Sequence, residues 1–282
     1  MLRHTFCHMP GVGAKTERRL WESGIETWDD LISRPPAHLS AAKADRLRRG
    51  AEESTERLEA DDAGYFYAGL PSDQHWRMFQ AFRHQVAFVD IETTGLGGPG
   101  DYITTIVLLD GQELKHYVRD DNLEDFVAEL DAYRLLVTYN GKCFDVPFIR
   151  DYFGIAVPHA HIDLRYVLAS LGYRGGLKGC ERQLGLDRQE LADVDGFFAV
   201  LLWLDYVKTG NTHALETLLA YNAHDVVNLS TLMVMAYNRR VAATPFADRL
   251  TLPDPPSVTI PFEAHTPTIQ RIQRQPGWPG FS

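Results

Sequence analysis

Four carboxylates and one phenol, spread over three short stretches, are the side chains of this 282-residue chain best suited to chemistry. Asp90 and Glu92 stand two apart in Phe88-Val89-Asp90-Ile91-Glu92-Thr93-Thr94-Gly95. Asp145 closes Asn140-Gly141-Lys142-Cys143-Phe144-Asp145, and Tyr221 and Asp225 bound Tyr221-Asn222-Ala223-His224-Asp225. An oxygen-only ligand set of this kind suits two hard divalent cations, Mg2+ or Mn2+, better than zinc. Two such ions about 3.5–4 Å apart can bridge a phosphodiester, one acidifying an attacking water and the other stabilising the leaving oxygen. The phenolic oxygen of Tyr221 is suited to orient or help deprotonate that water. Without metal, carboxylates crowded on a buried strand repel one another, more strongly as the effective dielectric falls.

The elements that must position these groups can be read from the hydrophobic pattern. Val86 to Ile91 is an apolar run and predicts a buried strand, so Asp90 and Glu92 leave the same face near its C-terminal end. Ile103 to Leu109, Leu114 to Val118 and Leu135 to Tyr139 predict three more strands, the first two joined by Asp110-Gly111. Asp145 falls between a strand and a helix that runs to Tyr152. His213 to Arg239 predicts the longest helix, on which Tyr221 and Asp225 share a face. Leu123 to Leu130, Leu164 to Leu171, Leu177 to Leu184 and Ala199 to Val207 are further helical stretches. Strands and helices alternating in this way give an α/β fold with a mixed sheet.

Each fragment alone has an ordinary reading. Asp-x-Glu can sit on a solvated strand edge, a Tyr four before an Asp can be core packing plus a surface charge, and Asn-Gly-Lys can be a turn. Their joint occurrence, in this order and each in a fitting structural context, is what points to a metal site.

The three motifs resemble those of the DEDD exonucleases, in the tyrosine variant. Asp90-x-Glu92 matches the first motif, Asn140-x3-Phe144-Asp145 the second and Tyr221-x3-Asp225 the third. The histidine variant would need His at position 220, which is Ala220, and His224 has the wrong spacing. Val137-Thr138-Tyr139-Asn140-Gly141 and Gly175-Gly176-Leu177-Lys178 make the YprB-like branch the nearest resemblance, over roughly residues 86 to 238. The resemblance implies a ribonuclease H-like fold: a mixed sheet flanked by helices. It also implies metal-dependent 3′-to-5′ exonuclease activity on single-stranded DNA or RNA. Asp90, Glu92, Asp145 and Asp225 would be the metal ligands, with Tyr221 beside them.

Four segments are expected: residues 1–60, a helical unit; 61–85, an aromatic-rich connection lying against the next domain; 86–240, the exonuclease domain; and 241–282, a proline-rich tail, extended or disordered. In the first segment, Pro10-Gly11-Val12-Gly13 turns into a helix over Ala14 to Glu22. Trp28 to Ser33 and Ala41 to Leu58 follow as helices. The turn resembles a helix-hairpin-helix motif, in which Gly11 and Gly13 let the backbone approach a phosphate and Lys15, Arg18 and Arg19 add charge. An ordinary turn between helices is the competing reading.

Asn140, Phe144 and Lys178 are further candidate nucleic-acid contacts. Phe144 packs behind the site or stacks on a base, and Lys178 meets a phosphate or is solvated, with Glu181 one turn on as a partner. Asp163 either supports the metal shell or caps the next helix, and the cap is favoured. Gly95 to Gly100 lacks the spacing of a phosphate cradle and is read as an active-site turn.

A formal net charge of -10 excludes nucleic-acid binding by the whole surface, so contacts must come from local patches. Three widely spaced cysteines, Cys7, Cys143 and Cys180, argue against a disulfide framework or a zinc-thiolate site. With no apolar run near the length of a membrane span and no signal-peptide core at Met1 to Phe6, a cytoplasmic protein with no membrane partner is expected. Two other function classes compete with the nuclease: an adaptor that keeps the fold without useful catalysis, and a phosphoesterase for small substrates. The full set of acids disfavours the first, and the basic N-terminal unit disfavours the second.

Overall fold

A computed structural model describes residues 1–34, 36, 39–186, 191 and 194–274. Five strands form one sheet: β1 (Val86–Thr93), β2 (Ile103–Leu109), β3 (Leu114–Val118), β4 (Leu135–Thr138) and β5 (Ala160–Asp163), in the order β3-β2-β1-β4-β5. The first three pair antiparallel, and β1, β4 and β5 run parallel. The sheet is therefore mixed, as the alternation of elements predicts. Four of its strands lie where the apolar runs place them. The fifth escapes the hydrophobic pattern, because Ala160-His161-Ile162-Asp163 is short and half polar yet buried at every position.

Pleating sorts β1 onto two cores. Val86 and Phe88 face a cluster that includes Val226 and Leu229, whereas Ala87, Val89 and Ile91 face one containing Phe126 and Ile149. Asp90 and Glu92 continue the row of Val86 and Phe88. They therefore emerge on the side of the sheet that meets the longest helix.

The chain before the sheet is helical: α1 (Ala14–Glu22), α2 (Trp28–Ser33), α3 (Ala41–Glu59), α4 (Ala63–Gly69) and the short α5 (Phe79–Phe82). The turn before α1 has Gly11 at φ +80° and Gly13 at the N-cap. Thr27 and Asp30 close a capping box on α2. These helices share a continuous buried cluster with the sheet, running from Phe6 and Trp28 through Phe66 and Phe82 to Phe88 and Tyr237. At its centre the carboxylate of Glu17 accepts from the Thr5 hydroxyl (2.6 Å) and the Phe6 N–H (2.8 Å) and forms an ion pair with the Arg77 guanidinium at 2.9 Å. The Glu17 and Arg77 side chains are 1% and 7% exposed, so this pair is sealed from water.

After β3 come α6 (Asp125–Leu130), α7 (Asp145–Phe153), α8 (Leu164–Ser170), α9 (Gly176–Leu184), α10 (Gly196–Thr209) and α11 (Thr212–Val241). At 30 residues, α11 is buried along most of its length and lies across β1 and β2. The tail differs from expectation. Residues 251–265 lack regular structure, as the prolines predict, but α12 (Ala247–Leu250) precedes them and α13 (Thr266–Gln273) follows. Ile269 and Ile272 of α13 are buried with Trp203 and Leu218, and Arg271 pairs with the buried Asp205. An amphipathic turn pattern after Pro267 outweighs the local proline content, because Pro is tolerated at the start of a helix. Pro276 and Pro279 lie outside the described residues. No helix among the described residues is long and apolar enough to cross a membrane.

Removing one partner of a buried pair leaves the other charge without compensation. Glu17→Ala should therefore lower the unfolding free energy by roughly 3–5 kcal/mol, read from the midpoint of chemical denaturation. A loss below ~1 kcal/mol, the range of surface pairs, would contradict this account.

Candidate metal centre

Three elements deliver the acids to one place. Asp90 and Glu92 end the buried run of β1, and Asp225 comes down from α11. One carboxylate oxygen from each of the three can be chosen so that all lie within 4.8 Å of one another. Asp145, the first residue of α7, lies close enough to act on Asp90 electrostatically, and its Oδ1 accepts the Ile91 N–H at 3.3 Å. That N–H is available because the β1–β4 ladder stops at Phe88 and Val137. All four acids and Tyr221 line a single cavity of about 760 Å³. Glu92, Asp145, Tyr221 and Asp225 are buried, while Asp90 is half-buried.

Asn222 carries no motif signal, and it is the residue that fixes Asp90. Its Nδ2 donates to Asp90 Oδ2 (2.6 Å) and to the Asp90 carbonyl (3.2 Å), and its Oδ1 accepts from the Thr105 hydroxyl (3.1 Å). The amide is fully buried. The one hint in the sequence is an amide directly after Tyr221, on the buried stripe of α11.

The second motif is built as a loop around Asp163. The cap reading is right: Asp163 accepts the Arg165 N–H at 3.0 Å at the start of α8. The same carboxylate also accepts the N–H groups of Asn140 (2.8 Å) and Lys142 (3.0 Å), so it holds the loop that leads into Asp145. Asn140 takes φ +66°, a left-handed conformation that asparagine tolerates better than most residues. Gly141 has no alternative, since a Cβ there would stand 2.2 Å from the Thr138 hydroxyl. That hydroxyl also accepts the Gly141 N–H (3.1 Å) and lies 2.8 Å from His161 Nε2.

The remaining candidates are placed as follows. Phe144 is half-buried, lines the cavity and has its ring 5.7 Å from that of Phe148. Asn140 lines the cavity. The Lys178 ammonium donates to the Val194 carbonyl and lies 5.7 Å from the centre of the Tyr221 ring. Glu181 accepts from Asn228 at 2.8 Å. In the turn after β1, Asp101 accepts the N–H groups of Gly97 (3.0 Å) and Gly98 (2.6 Å), so this loop is folded onto its own carboxylate. Gly11, Gly13, Lys15, Arg18 and Arg19 are exposed, and none of them lines the cavity of the acids.

Burial and mutual repulsion mark the cluster electrostatically. Asp90 is raised well above the ordinary carboxylate value by desolvation and then by the charges of Asp225, Asp145 and Glu92, against the stabilising Asn222 hydrogen bond. Burial raises Asp145 to about 7. Mutually repelling carboxylates that offer only oxygen donors, two of them fixed by hydrogen bonds, are a fitting cage for hard divalent cations.

Both folded-state values lie above those of the unfolded chain, so between about pH 4 and pH 7 the folded protein binds more protons. The metal-free protein should therefore lose stability as pH rises through that window, by an amount on the order of a few kcal/mol. Thermal unfolding at pH 5 and pH 8, with and without Mn2+, should show a larger metal-induced rise in Tm at pH 8. Equal shifts at both values would exclude a cation bound by these acids.

The family model described as RNase_H superfamily matches residues 87–237, more than half of the chain and a span that includes all of the acids. The uncharacterized protein YprB of Bacillus subtilis (strain 168) is 31% identical over 177 residues, which is 54% of this chain and 42% of that protein. The match thus takes in less than half of that relative's length. Among solved structures, the family B DNA polymerase from the hyperthermophilic archaeon Pyrobaculum calidifontis aligns with a TM-score of 0.42 and 15% identity, covering 56% of this chain and 24% of that one. With the family match extending from β1 into α11, this chain belongs to the ribonuclease H superfamily.

Proposed function

We propose that the chain is a metal-dependent 3′-to-5′ exonuclease of the DEDD type in its tyrosine form, acting on single-stranded DNA or RNA. The observation that carries this reading is the meeting of Asp90, Glu92, Asp145, Asp225 and Tyr221 from three distant stretches in one cavity. The all-oxygen donor set favours Mg2+ or Mn2+, with the four carboxylates as ligands of two ions. When bound, such cations supply positive charge at the scissile phosphate and make a water acidic enough to attack it.

The chain's own groups do the rest. Asn222 and the Ile91 N–H hold Asp90 and Asp145 in fixed orientations before any ligand arrives. Tyr221 stands one helical turn before Asp225 and lines the same cavity, a position from which its hydroxyl is suited to orient the attacking water. The N-terminal helices supply a second, weaker grip. The exposed Gly11–Gly13 turn and the exposed Lys15, Arg18 and Arg19 suit contact with a phosphate backbone, which reads charge and not sequence.

With Mn2+ or Mg2+, the protein should shorten 5′-labelled single strands from the 3′ end. Asp90→Ala and Asp225→Ala should each bring cleavage below detection while far-ultraviolet circular dichroism stays native. Tyr221→Phe should cost less, roughly 10²-fold in kcat, the scale of one lost acid–base or water-orienting group. Full activity in both aspartate variants would remove these residues from the mechanism.

Replacing Lys15, Arg18 and Arg19 together by Ala should weaken single-strand binding and reduce the slope of log K against log salt by about 0.7 for each phosphate that is no longer neutralised. An unchanged slope would place the N-terminal unit outside the substrate path.

A further inference from the structure

The cavity of the acids also carries cations. Arg165 and Arg174 line it, together with the half-buried rings of Tyr139, Phe144 and Tyr173. Neither guanidinium forms an ion pair with a carboxylate among the described residues. The guanidinium of Arg165 and the backbone of Arg174 are both held in place. Arg165 follows closely on Asp163, which accepts its N–H and those of the second-motif loop. Its guanidinium donates to the side-chain oxygen of Asn140. Arg174 lies in the turn before α9, with its carbonyl bonded by Gln183 Nε2. That turn is pressed so closely onto the helix that a Cβ on Gly179 would stand 2.8 Å from the Arg174 carbonyl oxygen.

A chain with a net charge of -10 repels a polyanion at long range, so a strand can reach the acids only where local cations reverse the sign of the field. Aromatic faces beside guanidinium groups are the combination that accepts bases and backbone of a single strand without reading sequence. We infer that Arg165 and Arg174 form a subsite for a phosphate of the substrate strand other than the scissile one. This rests on the nuclease reading above and sharpens it: the substrate is a polynucleotide with at least one neighbouring phosphate, not a mononucleotide ester.

The test compares two substrates in Mn2+: the p-nitrophenyl ester of thymidine 5′-phosphate, which has only the scissile phosphate, and a single-stranded oligonucleotide of about fifteen residues, in DNA and RNA versions, long enough to fill one single-strand binding site. The double variant Arg165→Ala, Arg174→Ala should lose about tenfold or more kcat/KM on the oligonucleotide beyond whatever it loses on the ester, the scale of a lost charge-assisted hydrogen bond. The loss should lie mainly in KM. The salt slope of oligonucleotide binding, measured by fluorescence anisotropy in Ca2+, should fall by about 0.7 for each phosphate released from an arginine. Equal losses on the two substrates with an unchanged salt slope would overturn the subsite. A parent protein that hydrolyses neither substrate would instead sink the nuclease reading. In that case the anisotropy slope still decides the subsite: a reduced slope supports it and an unchanged one ends it.

Discussion

Mutual repulsion among carboxylates that have been taken out of water is the constraint on which this molecule turns. Glu92, Asp145 and Asp225 are buried and Asp90 half so, and apart from Asp90 and Glu92, neighbours on β1, they come from distant stretches of the chain. In a low-dielectric interior like charges at such separations oppose each other strongly. The surroundings must therefore be stiff. Stiffness comes from β1, which is anchored in apolar cores on both of its faces, and from α11, whose 30 residues are buried for most of their length against it. The consequence is that Asp90 and Asp145 hold their protons to higher pH than ordinary carboxylates, so protons and divalent cations compete for them.

Small polar groups convert that stiffness into orientation. The Asn222 amide has its oxygen fixed by Thr105, so its NH2 end is turned to Asp90 and the carboxylate cannot swing away. The end of the β1–β4 ladder at Phe88 leaves the Ile91 N–H for Asp145. Asp163 ties the Asn140–Lys142 loop to the first turn of α8, so one buried carboxylate sets the path of the chain into Asp145 and the position of Arg165. Burial drives His161 down to about 3, with the Lys142 charge adding to it, so it stays neutral beside Thr138 and the loop is not exposed to a titrating cation near neutral pH.

The flanking segments act as buttresses. The helices before the sheet join its core through aromatic side chains and through the sealed Glu17–Arg77 pair, which links α1 to the turn at Arg77. The tail returns to close a second apolar cluster, where Ile269 and Ile272 cover Trp203 and Leu218 beside Tyr221. Both segments thus support the two ends of α11, one near Tyr237 and the other near Leu218.

The strands β1 to β4, the long helix and the three motifs were legible because each is a local pattern: an apolar run, a 3.6-residue stripe, an acid at fixed spacing. Even the role of Asp163 as a cap follows from its place before an apolar helix. What the sequence could not contain was distance. β5 is four residues long and half polar, so its burial depends on β4 beside it. The helix at Thr266–Gln273 is stabilised by partners far away along the chain, against a local proline signal that points the other way. Asn222 matters only because Asp90, 132 residues earlier, lies under it. Residue types and spacing decided which groups were capable of chemistry. Only the packing of α11 across β1 decided that they meet, since contact between distant segments is set by the whole buried core and leaves no mark at either residue alone.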